Sequence, residues 1–265
     1  MPSDEWPPER SGADLRRRAV RALVERRVAY LSPEQIDTLL SDRADIDPPS
    51  ATPWPWTVVL PVKGGPGAKT RLSPLGERRA SVAAAVAVDT VAAARATSRV
   101  AVMLVVTGDP ETARWSRDLG ATVVADPGHG LDAAVAAGLC RASGHLPCAV
   151  LLADLPALRP VDLAAALDAC TAALLGGALR AVVPDTDGDG TVLMAAAHPA
   201  ALTPAFGPGS AARHARGGVL LPLAAPRLRR DVDTPADLAA AVALGVGQAT
   251  RAAVAIQVHS SGRHT

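Results

Sequence analysis

Short, unbroken apolar runs alternate with longer amphipathic stretches from Thr57 to Leu175. The runs Thr57–Val62, Val100–Thr107, Ala121–Ala125 and Ala149–Ala153 have strand length and no in–out alternation, which suits strands covered on both faces. Between and after them, Glu77–Thr97, Pro110–Leu119, Leu131–Ala142 and Pro160–Leu175 read as helices. Strand and helix in alternation predict an α/β fold with a mainly parallel sheet. From Ala181 the rhythm shortens to Ala181–Pro184, Val192–Ala196, Val219–Leu223 and Leu228–Val232, followed by a helix at Pro235–Leu244. These short strands, parted by Gly and Asp loops, predict a small antiparallel annex.

Ahead of the first strand, Ile46–Trp56 contains four prolines and breaks both periodicities, so it reads as a linker. Leu15, Leu23, Val24, Val28 and Leu31 form one helical stripe before it, and Ser32-Pro33 restarts a helix toward Leu40. The predicted organisation is a helical extension with linker over residues 1–55, one α/β domain over 56–247, and a weakly patterned tail over 248–265 read as disordered. The extension carries no recognisable chemistry.

Composition narrows the partners. The 265-residue chain is 49% hydrophobic, enough for a sizeable core. A net charge of +1 gives no global field for nucleic acid or an acidic membrane. Aromatics, at 2%, leave few stacking platforms for single-stranded nucleic acid. A small-molecule partner is therefore expected. No apolar run approaches the roughly 20 residues of a membrane span, and the acidic, proline-rich start has no signal-peptide core. The expectation is a cytoplasmic protein, monomer or homodimer. Cys140, Cys148 and Cys170 match no zinc or redox spacing and are expected as buried, reduced thiols.

Ligands of a parallel α/β sheet bind outside the carboxyl ends of the strands, so chemistry is sought there. After the first run comes Pro61-Val62-Lys63-Gly64-Gly65-Pro66-Gly67-Ala68-Lys69-Thr70-Arg71, where glycines allow close approach and three cations suit a polyphosphate. It is not a Walker A loop, because Lys63 and Ala68 stand where that motif needs glycines. The fourth run ends at Asp154, too far ahead of Pro160 to cap the next helix and suited to a hard cation such as Mg²⁺. Asp231 and Asp233, at period two, fall on one side of an extended segment and with Asp154 suit one or two Mg²⁺ ions. Asp233 or Thr234 also fits as the cap of a helix starting at Pro235. Asp185–Gly190 opens like a calcium loop but has Ala196 where the closing glutamate belongs, so calcium sensing is rejected. In Phe206-Gly207-Pro208-Gly209-Ser210, free amides and the Ser210 hydroxyl suit a phosphate or carboxylate; a plain Ser210 N-cap fits equally well.

Taken together and in this order, Pro61-Val62-Lys63, Lys69-Thr70-Arg71-Leu72, Gly130-Leu131-Asp132, Ala153-Asp154-Leu155-Pro156, Phe206–Ser210 and Asp231–Thr234 resemble the 2-phospholactate/phosphoenolpyruvate guanylyltransferases of coenzyme F420 biosynthesis. The resemblance runs from about Thr57 to Gly245 and leaves out residues 1–55. It implies a Rossmann-like nucleotidyltransferase fold of the nucleotide-diphospho-sugar transferase type, a three-layer arrangement. It also implies GTP as donor, Mg²⁺ as cofactor, and phosphoenolpyruvate or 2-phospho-L-lactate as the small phosphorylated carboxylic acid. Asp154, Asp231 and Asp233 would be metal ligands, and Thr191, Gly207 and Ser210 would hold the acceptor. Lys63, Lys69 and Arg71 would face the triphosphate, with Pro61, Val62, Gly130 and Asp132 beside the nucleotide. The pattern departs at Asp132, where the family usually has asparagine. Alanine, arginine and proline richness points to a high-GC genome and to the branch using phosphoenolpyruvate. The alternatives are another nucleotide with another phosphorylated acceptor, or a non-catalytic nucleotide-binding module.

Overall fold

Strand β1 (Trp56–Pro61) is buried along its whole length because its two faces meet different helices: Val58 and Leu60 enter one core and Val59 the other. This is why its sequence shows no alternation. The computed structural model describes residues 54–65 and 69–255. The helical extension, most of its linker, residues 66–68 and residues 256–265 lie outside the described residues.

After β1 a 3-10 segment (Thr70–Arg78) leads into α1 (Arg79–Arg95). There follow β2 (Val100–Thr107), α2 (Pro110–Asp118), β3 (Thr122–Ala125), α3 (Leu131–Arg141), β4 (Cys148–Leu151) and α4 (Pro160–Leu175). The second half comprises β5 (Ala181–Pro184), β6 (Thr191–Ala196), α5 (Ser210–His214), β7 (Val219–Leu220), α6 (Pro226–Arg229), α7 (Pro235–Leu244) and α8 (Gln248–Ala255). One seven-stranded sheet runs in the order β3-β2-β1-β4-β6-β5-β7. All its pairings are parallel except those of β6, which is antiparallel to both β4 and β5. The expected α/β fold is present; its antiparallel part is a strand inside the sheet, between β4 and β5.

Helices cover both faces. Ala87 and Val91 of α1 and Leu163, Leu167 and Cys170 of α4 share one core with Val58, Leu60 and Val105. Ala134, Val135 and Leu139 of α3 share the other with Val59, Val106, Val150 and Met194. A Cβ added to Gly138 of α3 would lie 2.3 Å from Val59 Cγ1 and 2.8 Å from Val106 Cγ2, so this glycine sets how closely α3 approaches the sheet. Gly138→Val should cost about 1–3 kcal/mol by overpacking. Urea denaturation checks it, and unchanged stability would show that α3 can lift without cost.

Four expectations are corrected. Leu228–Val232 is not a strand: Pro226 starts the helical turn α6, which ends at Arg229, Leu228 and Val232 are buried, and Arg229 donates to the carbonyls of Pro184, Asp185 and Leu223. The strand expected at Val219–Leu223 shrinks to Val219–Leu220. The tail expected as disordered from residue 248 begins with α8, whose first amides, Ala249 N (3.0 Å) and Thr250 N (2.8 Å), donate to the Asp89 carboxylate of α1. Of the cysteines, Cys148 and Cys170 are buried, but Cys140 is exposed on the outer side of α3.

Candidate functional site

In going from β1 to β2 and β3 the chain moves one way across the sheet, then returns to place β4 on the other side of β1. That reversal opens a crevice at the carboxyl ends of β1 and β4, where a doubly wound sheet binds its ligands. The loop after β1 and the turn carrying Asp154 both meet it.

Asp154 is held from two sides. Leu155 N donates to Thr90 Oγ1 of α1 at 3.0 Å, and Val232 N donates to the Asp154 carbonyl at 3.0 Å. The second bond draws the distant Asp231–Asp233 segment beside Asp154. Thr234, not Asp233, caps α7, in a reciprocal box with Asp237, so the Asp233 carboxylate is free for the crevice. Asp154 likewise caps nothing, since α4 starts at Pro160 behind Arg159.

Lys69 closes the group. It is the one described non-glycine residue with positive φ (47°), and its Nζ donates to Asp154 Oδ2 at 2.5 Å and Asp233 Oδ1 at 2.7 Å. Burial works against its charge, but the two aspartates outweigh it and raise the ammonium pKa above the ordinary lysine value. Arg71 reaches Asp233 more loosely, at 3.4 Å, and is exposed, as is Lys63. Pro61 and Val62 are buried, and Val62 N donates to the Val106 carbonyl at 2.8 Å. Gly64 packs on the N-terminus of α2, where an added Cβ would lie 2.5 Å from Asp109 Oδ2.

The carboxylates carry more negative charge than Lys69 offsets. Asp231 is pushed up to about 7 by burial first, then by Asp154, Asp233 and Asp185. Asp154 Oδ1 is buried without a hydrogen-bond partner among the described residues. A carboxylate oxygen without a partner beside two further carboxylates is a donor set of the kind that fits a hard cation such as Mg²⁺. Among the described residues no three acidic or histidine side chains already form a metal cluster, and Lys69 stands between two of the aspartates. In metal-free protein the raised Asp231 pKa makes a stabilising contribution that is present below about pH 4 and lost as pH rises through about 7. Asp231→Asn should remove that part of the decline, measured by denaturation between pH 5 and 8. An unchanged slope would show that Asp231 ionises normally.

A second polar group lies at the start of β6. Leu152 N bonds Val192 O at 3.0 Å, so Thr191 flanks the turn that carries Asp154. Ser210 Oγ donates to Thr191 Oγ1 at 3.2 Å, and His214 Nδ1 lies 2.9 Å from the same oxygen. All three residues are buried. Ser210 does not cap α5; Gly209, with φ 73°, occupies that position.

The loop before α5 is tied on every side. Ala205 N donates to His214 Nε2, Phe206 N to Asp132 Oδ1 and Gly209 N to Asp189 Oδ2, each at 2.8 Å. The Arg213 guanidinium spans the carbonyls of Ala205, Phe206, Gly207 and Pro208. Gly207 N–H has no hydrogen-bond acceptor among the described residues, which leaves a donor for a ligand. Asp132 thus anchors this loop from the first turn of α3, just after Gly130 (φ 90°). Sequence reasoning assigned no role to Asp189, Arg213 or His214; the one available signal was the i, i+4 spacing of Ser210 and His214.

Comparison with known proteins gives the chain's family. Residues 80–227 match the MobA-like NTP transferase domain. A phosphoenolpyruvate guanylyltransferase of Geodermatophilus obscurus is 50% identical over 206 residues, covering 74% of this chain and 93% of its own. The protein of the same name from Streptomyces coelicolor is 48% identical over 216 residues, covering 78% and 99%. Among solved structures, Rv0371c from Mycobacterium tuberculosis H37Rv aligns with 72% of this chain and 99% of that chain, at 18% identity and a TM-score of 0.47.

Proposed function

Because the chain belongs to the phosphoenolpyruvate guanylyltransferase family of MobA-like NTP transferases, we propose that it transfers GMP from GTP to phosphoenolpyruvate, releasing pyrophosphate in coenzyme F420 biosynthesis. The observation that carries this reading is the pairing of the Asp154–Asp231–Asp233–Lys69 centre with a neutral hydroxyl and amide cradle at Thr191 and Gly207. A triphosphate needs the first and a phosphorylated carboxylic acid suits the second.

An oxygen of the acceptor phosphate attacks the α-phosphorus of GTP. The bond from that phosphorus to the bridging β-oxygen breaks, and pyrophosphate leaves with the electron pair. The acceptor phosphate is already ionised near pH 7, so no general base is required. The protein's task is to bring two polyanions together and offset their repulsion. Lys63, Lys69 and Arg71 hold the triphosphate, with Gly130 and the backbone at Pro61 and Val62 beside the nucleotide; Thr191, Gly207 and Ser210 hold the acceptor. Asp154, Asp231 and Asp233 would hold Mg²⁺, which when bound supplies charge neutralisation at the phosphoryl oxygens. Asp132 acts on the acceptor side, through Phe206.

No helix among the described residues is long and apolar enough to cross a membrane, and we place the enzyme in the cytoplasm. The test is pyrophosphate release with GTP and Mg²⁺, offering phosphoenolpyruvate and 2-phospho-L-lactate in parallel and identifying the product by mass. Guanylylated phosphoenolpyruvate is the expected product. Turnover with 2-phospho-L-lactate alone would replace the acceptor, and turnover only with another nucleotide would overturn the donor.

A further inference from the structure

Two hydroxyls, Thr191 and Ser210, meet one imidazole, and their protons can be counted. Ala205 N–H donates to His214 Nε2 at 2.8 Å, so that nitrogen is an acceptor and the ring's proton resides on Nδ1. Nδ1–H therefore donates to Thr191 Oγ1, 2.9 Å away. The Thr191–Ser210 bond uses one of the two hydroxyl protons, in whichever direction it runs. Because the imidazole donates into the pair, the other hydroxyl proton stays available. With the opposite tautomer Nδ1 would accept from Thr191, Ser210 would donate to Thr191, and neither proton would remain. Burial holds the His214 pKa below its ordinary value, against a smaller opposing effect of Asp132 and alongside Arg213 and Arg180, which keeps the ring neutral near pH 7. The ring is fixed further by edge contact with Phe206, centroids 4.7 Å apart.

We propose that His214 is a positioning residue of the acceptor subsite: its Nδ1–H, fixed by the Ala205 amide, leaves the Thr191–Ser210 pair one proton to donate to an anionic oxygen of the phosphorylated carboxylic acid. This rests on the reading that Thr191 and Ser210 bind the acceptor. It also couples the loop to the hydroxyls, since the amide that sets the tautomer belongs to the segment presenting Gly207 N–H. The subsite thereby presents neutral hydroxyl and amide donors, and the Arg213 guanidinium that braces their loop is engaged by the carbonyls of Ala205, Phe206, Gly207 and Pro208.

His214→Phe keeps a ring against Phe206 and removes the donor; His214→Asn keeps a donor near the Nδ1 position. The expected result is a KM for phosphoenolpyruvate raised about 10- to 100-fold in His214→Phe, with KM for GTP within about twofold and recovery of most of the loss in His214→Asn. Parallel rises in both KM values, or equal damage in both variants, would overturn the proposal. Thr191→Val separates the layers. If it raises KM for phosphoenolpyruvate while His214→Phe does not, only the role of His214 falls; if it leaves that KM unchanged, the acceptor subsite falls and the proposal with it. Ring-nitrogen NMR of the unmodified chain tests the tautomer independently of any variant's folding. The Nδ1–H form is expected for His214, and an Nε2–H form would overturn the proposal.

Discussion

Asp154→Asn should lower turnover at least about a hundredfold to a thousandfold while the protein keeps its fold, because the substitution removes one charge and almost no volume. Asp154 is where three constraints meet. Its backbone is pinned to Thr90 and Val232, its Oδ2 is held by Lys69, and its Oδ1 is buried without a partner. A buried carboxylate oxygen without a partner costs free energy in the protein as it stands, and a bound cation would offset that cost. The local excess of negative charge means that neutralising Asp154 relieves repulsion on Asp231 while it weakens the Lys69 pair, two effects of opposite sign. Stability should therefore change by less than about 1 kcal/mol, even as activity collapses. Pyrophosphate release and urea denaturation on the same preparation check both halves. Retained turnover would remove Asp154 from the chemistry, and collapse of both would make its role structural.

The sheet was legible in the sequence because burial on both faces writes itself as unbroken apolar runs, and α4 at Pro160–Leu175 falls where its Pro start predicts. The place of Asp154 at the carboxyl end of β4 was legible for the same reason, and the cap role weighed against it goes to Arg159 at the start of α4. What the sequence concealed was fixed by partners far along the chain. Helix α8 takes its N-terminal cap from Asp89, 160 residues earlier, so no local signal marked it. Leu228–Val232 fits both a short strand and a helical turn, and Arg229 bonding to remote carbonyls favours the turn. Asp132 shows the same limit at the site. The resemblance places it beside the nucleotide, and the fold adds a partner no local signal marks: its carboxylate accepts from Phe206 N, 74 residues away. His214 was present in the sequence beside a recognised glycine loop, yet only the folded positions of Thr191 and Ala205 give its two nitrogens distinct roles.

Lys69→Met should have opposite effects on the empty and loaded protein. In the metal-free chain Lys69 is the cation between Asp154 and Asp233, and removing it from this part-buried group should cost about 1–3 kcal/mol, because the remaining charges lose their counter-ion. Arg71 cannot replace it, being exposed and 3.4 Å from Asp233 alone. Saturating Mg²⁺ should restore much of that loss in the variant, since a bound cation takes over the neutralisation, and the thermal shift on adding Mg²⁺ should exceed that of the unmodified chain. Turnover should nonetheless stay about a hundredfold or more below normal with Mg²⁺ present, because the ammonium that faced the carboxylates is also the charge expected on the triphosphate. The αL backbone at Lys69 supports this double use: a left-handed conformation at a non-glycine residue is retained where the side chain must be aimed. An equal Mg²⁺ shift in both proteins would mean that Lys69 does not share its place with the metal, whereas full activity in the variant would confine it to the resting state.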